Sequence, residues 1–181
     1  MAYDLEEQEQ LDEFKAWWNK NGKLAIRLVI GAIVAYAGWQ GYQSWMNSKA
    51  ASASTAYQTL VSQSLLDVDA KKAERILADS TRLEQDFSTT PYAGRAALFA
   101  ARALHQANQA DAAEKQLRWA LTDAKEPAVR AMAAIEIAGL QIERDALDDA
   151  KKTLEAIDDA GFDGLKQALL GDIYLAKKQE K

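Results

Sequence analysis

The chain has 181 residues, with 22 Lys and Arg against 27 Asp and Glu, for a formal net charge of -5. Residues 1–47 carry 4 basic and 6 acidic groups and residues 48–181 carry 18 and 21, so neither part offers the basic surface a nucleic acid needs. The absence of cysteine excludes disulfides, thiolate nucleophiles and thiolate metal sites, and one histidine, His105, excludes a histidine cluster.

The head, residues 1–23, places Leu11, Phe14 and Trp18 at i, i+3 and i+7 among acidic residues. That is the spacing of one apolar helical face, and it predicts an amphipathic cytoplasmic helix resting on a membrane surface rather than a dedicated docking site. Asn21-Gly22 is expected to break the helix. Residues 24–46 read LAIRLVIGAIVAYAGWQGYQSWM, with Arg27 the one charge. At about 1.5 Å per residue such a run covers the roughly 30 Å of a bilayer's hydrocarbon, which predicts a transmembrane helix. Lys15, Lys20, Lys23 and Arg27 precede the apolar run, whereas Lys49 stands alone behind it before Lys71. The positive-inside rule therefore keeps the N-terminus in the cytoplasm and exports the rest. Trp17 and Trp18 before the span, and Trp39, Tyr42 and Trp45 at its far end, suit the two membrane interfaces. A cleaved signal peptide fits poorly, because Ala51-Ser52-Ala53 lies twelve residues past Trp39. A buried soluble helix would have a shorter apolar run. Gly31 with Ala35, and Ala37 with Gly41, are small residues four apart, with Gly38 between them. They are candidate intramembrane packing residues for a partner helix or a second copy of the chain.

From Asn47 to Ala56 the chain is rich in Ser and Ala, and the helix is expected to continue as a stalk toward Tyr57, Leu60 and Leu65. Asp67 and Asp69 are good N-cap types. Ala73, Ile76, Leu77, Leu83 and Phe87 then resume a helical stripe as far as Ser88-Thr89-Thr90-Pro91, which closes a first hairpin over residues 47–90. Thr90-Pro91 reads as a cap followed by proline at the first helical position. A helix to Gln106, a turn at Asn108-Gln109 and a second helix follow. Pro127 starts the pattern again, with a turn near Asp145. Ala101 and Ala138, Ala113 and Ala150, Leu117 and Leu154, and Ala120 and Ile157 are each 37 residues apart. Ala101 to Ala113 and Ala138 to Ala150 both span twelve residues, placing a small side chain on each helix of a hairpin where the two cross. A third copy opens at Gly161-Phe162, with Gly171 standing 33 residues after Ala138.

This pattern resembles the tetratricopeptide repeat. The predicted fold class is all-α: a single transmembrane helix followed by a tetratricopeptide-like α-hairpin solenoid over residues 91–181, its last repeat incomplete. Twelve residues on from Gly171 passes Lys181, so the second helix of the third copy is missing and Leu165, Leu169, Ile173 and Tyr174 lack its cover; either the last helix packs back on the preceding pair alone or something else covers it.

The order of features resembles one family in particular. Phe14, Trp17, Trp18, Asn21, Gly22 and Lys23 precede the span; Gly38 and Trp39 lie within it; Ser54, Ala56, Tyr57 and Gln58 mark the stalk; Tyr92, Ala93 and Gly171 mark the repeats. This series is similar to the YfgM family, the ancillary SecYEG translocon subunits. The resemblance implies a bacterial inner-membrane protein of Gram-negative cells with a periplasmic repeat domain. It implies association with the SecYEG translocon and with a PpiD-type periplasmic chaperone, transfer of newly exported client proteins, and a link to an Rcs response regulator. It also implies a further helix or two after position 181.

No nucleophile with a base and an orienting group is found, nor a phosphate loop or dinucleotide fingerprint, so the reading is not an enzyme and takes no cofactor. Asp148-Asp149, Asp158-Asp159 and Asp163 lack the loop spacing of a calcium site and fit helix starts and turns, so no metal is expected. Binding remains. With Ala101, Ala138 and Gly171 as equivalent packing positions, a peptide groove is expected to draw Arg95, Leu98, Arg102 and His105 from the first copy. Met132, Ile135 and Ile142 come from the second, and Leu165 and Asp172 from the third. Arg95 and Arg102 would pair acidic groups of a ligand; the competing reading makes Leu98, Ile135 and Leu165 simple core. Two functions follow: a translocon adaptor that holds chaperones or emerging chains near the exit, or an envelope scaffold or stress-signalling regulator acting through its cytoplasmic head. The small residues of the span and the open third repeat permit a homo-oligomer and require none.

Overall fold

A computed structural model describes residues 3–64 and 68–179. Among them are seven α-helices and no strand: α1 (Tyr3–Ser64), α2 (Ala70–Phe87), α3 (Pro91–Gln106), α4 (Ala110–Asp123), α5 (Pro127–Glu143), α6 (Leu147–Glu155) and α7 (Asp163–Gln179). Leu65 and Asp67, expected in the stalk stripe and as a cap, lie outside the described residues. The chain divides into two compact units, Met1–Ser48 and Lys49–Lys181.

In the first unit α1 passes through Asn21-Gly22 without the break expected there. Glycine costs about 1 kcal/mol inside a helix relative to alanine, but here its missing side chain makes room. The indole of Trp18, one turn earlier, lies over Gly22, where a Cβ would meet the ring at 3.2 Å. α1 is the one described helix long and apolar enough to cross a membrane, with a most apolar window of mean hydropathy 1.4, none of it buried by protein.

In the second unit each helix packs on its successor from α2 to α7, and α3 also touches α5 as α5 touches α7. Nearest and next-nearest contacts of this kind are those of stacked hairpins. The boundaries follow from local chemistry. Asp69 caps α2, its carboxylate accepting from the Lys72 N–H at 2.7 Å. Pro91 and Pro127 open α3 and α5. Thr90 stands at the cap position of α3, but its hydroxyl donates back to the Phe87 carbonyl at 2.8 Å and makes no cap bond.

The two tight turns repeat. Asn108 and Asp145 adopt φ of 59° and 61°, the left-handed conformation that Asn and Asp tolerate better than other side chains. After α3, the Asn108 and Gln109 N–H groups donate to the carbonyls of His105 and Leu104; after α5, those of Asp145 and Ala146 donate to Ile142 and Gln141. Both are Schellman closures, satisfying the last carbonyls of a helix while reversing the chain. Ala101, Ala113, Ala138 and Ala150 are all buried, as close helix crossings demand.

Two apolar clusters result. Leu60, Ile76, Leu83, Leu104, Leu117 and Ile137 form the centre of the first; Ile135, Leu154, Ile157 and Ile173 belong to the second. Of the two expectations for the third copy, the structure shows the last helix packing back on the preceding pair. Ile173 is fully buried and Leu169 half-buried, while Leu165, Tyr174 and also Leu175 are exposed. α7 turns one stripe back onto the preceding hairpin, tied by Lys166 Nζ donating to the Ile157 carbonyl at 2.9 Å and by Lys177 pairing with Asp148. Gly171, unlike Ala101 and Ala138, is exposed, with open space before it.

Candidate functional site

The alternate helices of the stack, the end of α1 and then α3 and α5, share a face. The Tyr57 ring of α1 lies 5.6 Å from Tyr92 and 5.9 Å from Phe99 of α3. Burial pushes the Tyr57 hydroxyl above its ordinary pKa; Arg95 and Arg102 oppose the shift and Glu126 reinforces it. Arg95, Leu98, Arg102 and His105 recur at i, i+3, i+7 and i+10 along α3, one face of a helix. Leu98 is half-buried against the first cluster; the other three are exposed.

The basic side chains of α3 face carboxylates at the start and along the face of α5. Arg95 donates to both oxygens of Glu126, Nε to Oε2 at 2.7 Å and NH2 to Oε1 at 2.6 Å, a bidentate pair that holds the guanidinium charged. Arg102 donates through Nε and NH2 to one oxygen of Glu136 at 2.9 and 2.7 Å. His105 Nε2 stands 3.6 Å from Glu143. The arginines expected to bind acidic groups of a ligand thus already have internal partners. Sequence reasoning missed Glu126, Glu136 and Glu143, yet a signal existed: they lie 31, 34 and 38 residues after Arg95, Arg102 and His105, about one repeat period.

The remaining candidates disperse. Met132 is half-buried, Ile135 is core in the second cluster, and Ile142 is half-buried against that cluster. Leu165 is 45% exposed and Asp172 is exposed on α7. Only Arg102 and His105 of the nine line a common cleft, of about 210 Å³, between α3 and α5 over α4. A larger opening of about 760 Å³ lies among the ends of α4, α5 and α6, with Leu121, Ala131, Ala134 and Ile157 in its wall. It combines the ends of three helices, and sequence periodicity gave no sign of it. In the span, Gly31, Ala35, Ala37, Gly38 and Gly41 are exposed, and a Cβ at any of the three glycines meets nothing within 4 Å. Among the described residues no group of three or more His, Asp or Glu is placed to hold a metal ion.

A second set of charges ties the repeats together at their edge. Arg118 and Arg144 share Glu114, Arg118 NH2 at 2.5 Å from Oε1 and Arg144 NH1 at 2.7 Å from Oε2, while Arg144 NH2 reaches Asp111 at 2.9 Å. Burial alone would raise the Glu114 pKa, but the two guanidiniums outweigh it and leave the carboxyl below its ordinary value. In contrast, burial holds Glu84 on α2 above its ordinary value, opposed by the Ser80 hydroxyl at 2.8 Å and reinforced by Asp123.

Comparison with known proteins agrees with this architecture. Residues 15–181 match the family described as a tetratricopeptide repeat-like domain. A Haemophilus influenzae protein named ancillary SecYEG translocon subunit is 32% identical over 98% of this chain and 84% of its own length. Proteins of the same name from Neisseria gonorrhoeae (30%, over 100% of this chain and 85% of the relative) and Escherichia coli (29%, over 94% and 80%) are also similar. No solved structure matches. With its apolar N-terminal helix, its stacked hairpins, its match to a tetratricopeptide repeat-like domain over residues 15–181 and this similarity over nearly the whole chain, the chain belongs to the family of ancillary SecYEG translocon subunits.

Proposed function

We propose that the protein is a non-enzymatic adaptor of the Sec translocon, anchored in the inner membrane by α1, with its N-terminus cytoplasmic and its hairpins periplasmic. The observation that carries this reading is the similarity to ancillary SecYEG translocon subunits over nearly the whole of this chain, extending through the apolar helix as well as the repeats. In this reading the span sits beside the translocon, with Gly31 and Gly38 offering close approach to a neighbouring helix. The face of α3 and α5 holds a PpiD-type periplasmic chaperone or a newly exported segment. Tethering raises the local concentration of the repeats at the exit site, so weak contacts suffice.

The test is site-specific crosslinking in native membranes, with photoreactive residues at Gly31 or Gly38 in the span and at Arg102 or Ile142 on the repeats. Translocon subunits captured from the span, with a chaperone or exported chains captured from the repeats, support the adaptor. Lipid or self-crosslinks alone from the span, with nothing from the repeats, would sink it. The cytoplasmic orientation of the head is read independently, by attaching a reporter active on only one side of the membrane.

A further inference from the structure

The cleft between α3 and α5 has an unusual floor. Ala101, Ala113, Leu117 and Leu140 are buried beneath it, while Arg102, His105 and Glu143 are exposed at its edge. Gly139 also lines it, in the interior of α5, where glycine costs helix stability. Nothing in the fold demands that glycine: a Cβ there meets no atom within 4 Å, and φ is not positive. A side chain at 139 would therefore project into open space from the cleft wall.

Size and charge restrict what enters. At about 210 Å³ the cleft falls below the roughly 300–1,000 Å³ of small-molecule sites, which favours a single side chain over a whole ligand. Its apolar floor favours an aliphatic group. With His105 counted as neutral, the lining carries one positive charge, Arg102, and two negative ones, Glu136 and Glu143. Arg102 is held by Glu136, whose side chain is 21% exposed. Glu143 is 59% exposed, and the His105 ring stands 3.6 Å from it, longer than a hydrogen bond. Of the two carboxylates at the rim, Glu143 is the one that no guanidinium holds.

We infer that this slot seats one aliphatic side chain of an extended peptide segment, with Glu143 pairing a basic residue next to it in that segment. The inference rests on the adaptor reading for its partner, and it names the chemistry of the segment held: apolar followed by basic, not acidic. Gly139 keeps the slot open at the expense of helix stability.

The probe is a Gly/Ser octapeptide carrying one photoreactive leucine followed by Lys, offered to the full-length protein in lipid nanodiscs. Controls replace the photoreactive leucine's neighbour Lys by Glu or by Ser. We expect labelling at Leu117 or Leu140 that falls about tenfold in Gly139→Leu, the scale of losing one buried aliphatic side chain. It should fall several-fold with the Glu peptide, and Glu143→Gln should remove the preference for Lys over Ser. Thermal unfolding checks that Gly139→Leu remains folded. If it does not, Gly139→Ala, which melts no lower than the parent, should still reduce labelling about threefold. No labelling of the parent protein, labelling unaffected by substitution at Gly139, or equal labelling by the Lys and Glu peptides overturns the proposal. Translocon crosslinks from Gly31 or Gly38 are read in the same variants. Their survival when peptide labelling is absent rejects the slot and leaves the adaptor standing, whereas their absence rejects the adaptor.

Discussion

The substitution Gly94→Ala tests the packing of the first repeat against the second. Gly94 is the fourth residue of α3, and a Cβ there would lie 2.6 Å from the Ala124 Cβ, 3.2 Å from Val129 Cγ1 and 3.3 Å from the Ala124 Cα. On helix propensity alone, Gly to Ala stabilises by about 1 kcal/mol. Forcing a methyl group into a packed contact costs about 1–3 kcal/mol, because Ala124 and Val129 are both buried and must shift with their backbones. The clash should win, for a net loss of roughly 1 kcal/mol. Gly139→Ala has the same propensity gain and no clash, so it should stabilise by about 1 kcal/mol. For a domain of this size each kcal/mol moves the melting temperature by about 3–5 °C. Loss of helical circular dichroism on heating the full chain in detergent should thus place Gly94→Ala below the parent and Gly139→Ala above it. If Gly94→Ala melts as high as Gly139→Ala, the approach of the α4–α5 connection to α3 is not a constraint, and the reasoning fails.

Other predictions follow from burial and charge. Ile173→Ala should cost about 2–5 kcal/mol of unfolding free energy in denaturant titration, whereas Leu175→Ala, at 62% exposure, should change it little; equal losses would mean that α7 does not pack back as described. Asp69→Ala removes the α2 cap and should cost about 1 kcal/mol in the same titration. Glu114→Gln and Glu84→Gln should act oppositely in melting curves recorded against pH. The lowered pKa of Glu114 means its ionised form stabilises the fold above the ordinary carboxylate range, and that contribution is lost as pH falls through the folded pKa; Glu114→Gln should melt lower at neutral pH and converge on the parent in acid. The raised pKa of Glu84 means its ionised form is a burden at neutral pH, relieved as pH falls through its raised value, so Glu84→Gln should melt higher at neutral pH and lose that advantage in acid. The same sign for both substitutions at neutral pH would contradict the assignment.

Much of the architecture was legible because its signals are local. Proline at the first helical position, Asp69 as a cap, and the Asn108 and Asp145 turns each act within a few residues of backbone, and each stands where the pattern put it. The alanines twelve residues apart needed only the helical period and a crossing to explain them. Two local signals misled. Asn-Gly reads as a breaker, but Trp18 covers Gly22 within the same helix; Thr before Pro reads as a cap, but the Thr90 hydroxyl finds the Phe87 carbonyl instead.

The candidate site was less legible. Periodicity placed Arg95, Arg102 and His105 on one face of α3, but it could not show that Glu126, Glu136 and Glu143 come across from α5 to meet them. It likewise treated Leu98 and Ile135 as equivalent, although Leu98 is half-buried and Ile135 is core. The repeat register is shared; the neighbours that cover each position are not.

The sequence by itself thus determined an apolar run of membrane length, the starts and reversals of the helices, and the small residues at their crossings, because backbone chemistry and helical period act over one or two turns. Only the tertiary structure decided which charges are already paired, that Ile173 of α7 is buried on the preceding hairpin, and that the missing side chain of Gly139 leaves an open slot between α3 and α5. Each of these depends on groups some twenty to forty residues apart in the chain, brought together by the stacking of whole hairpins.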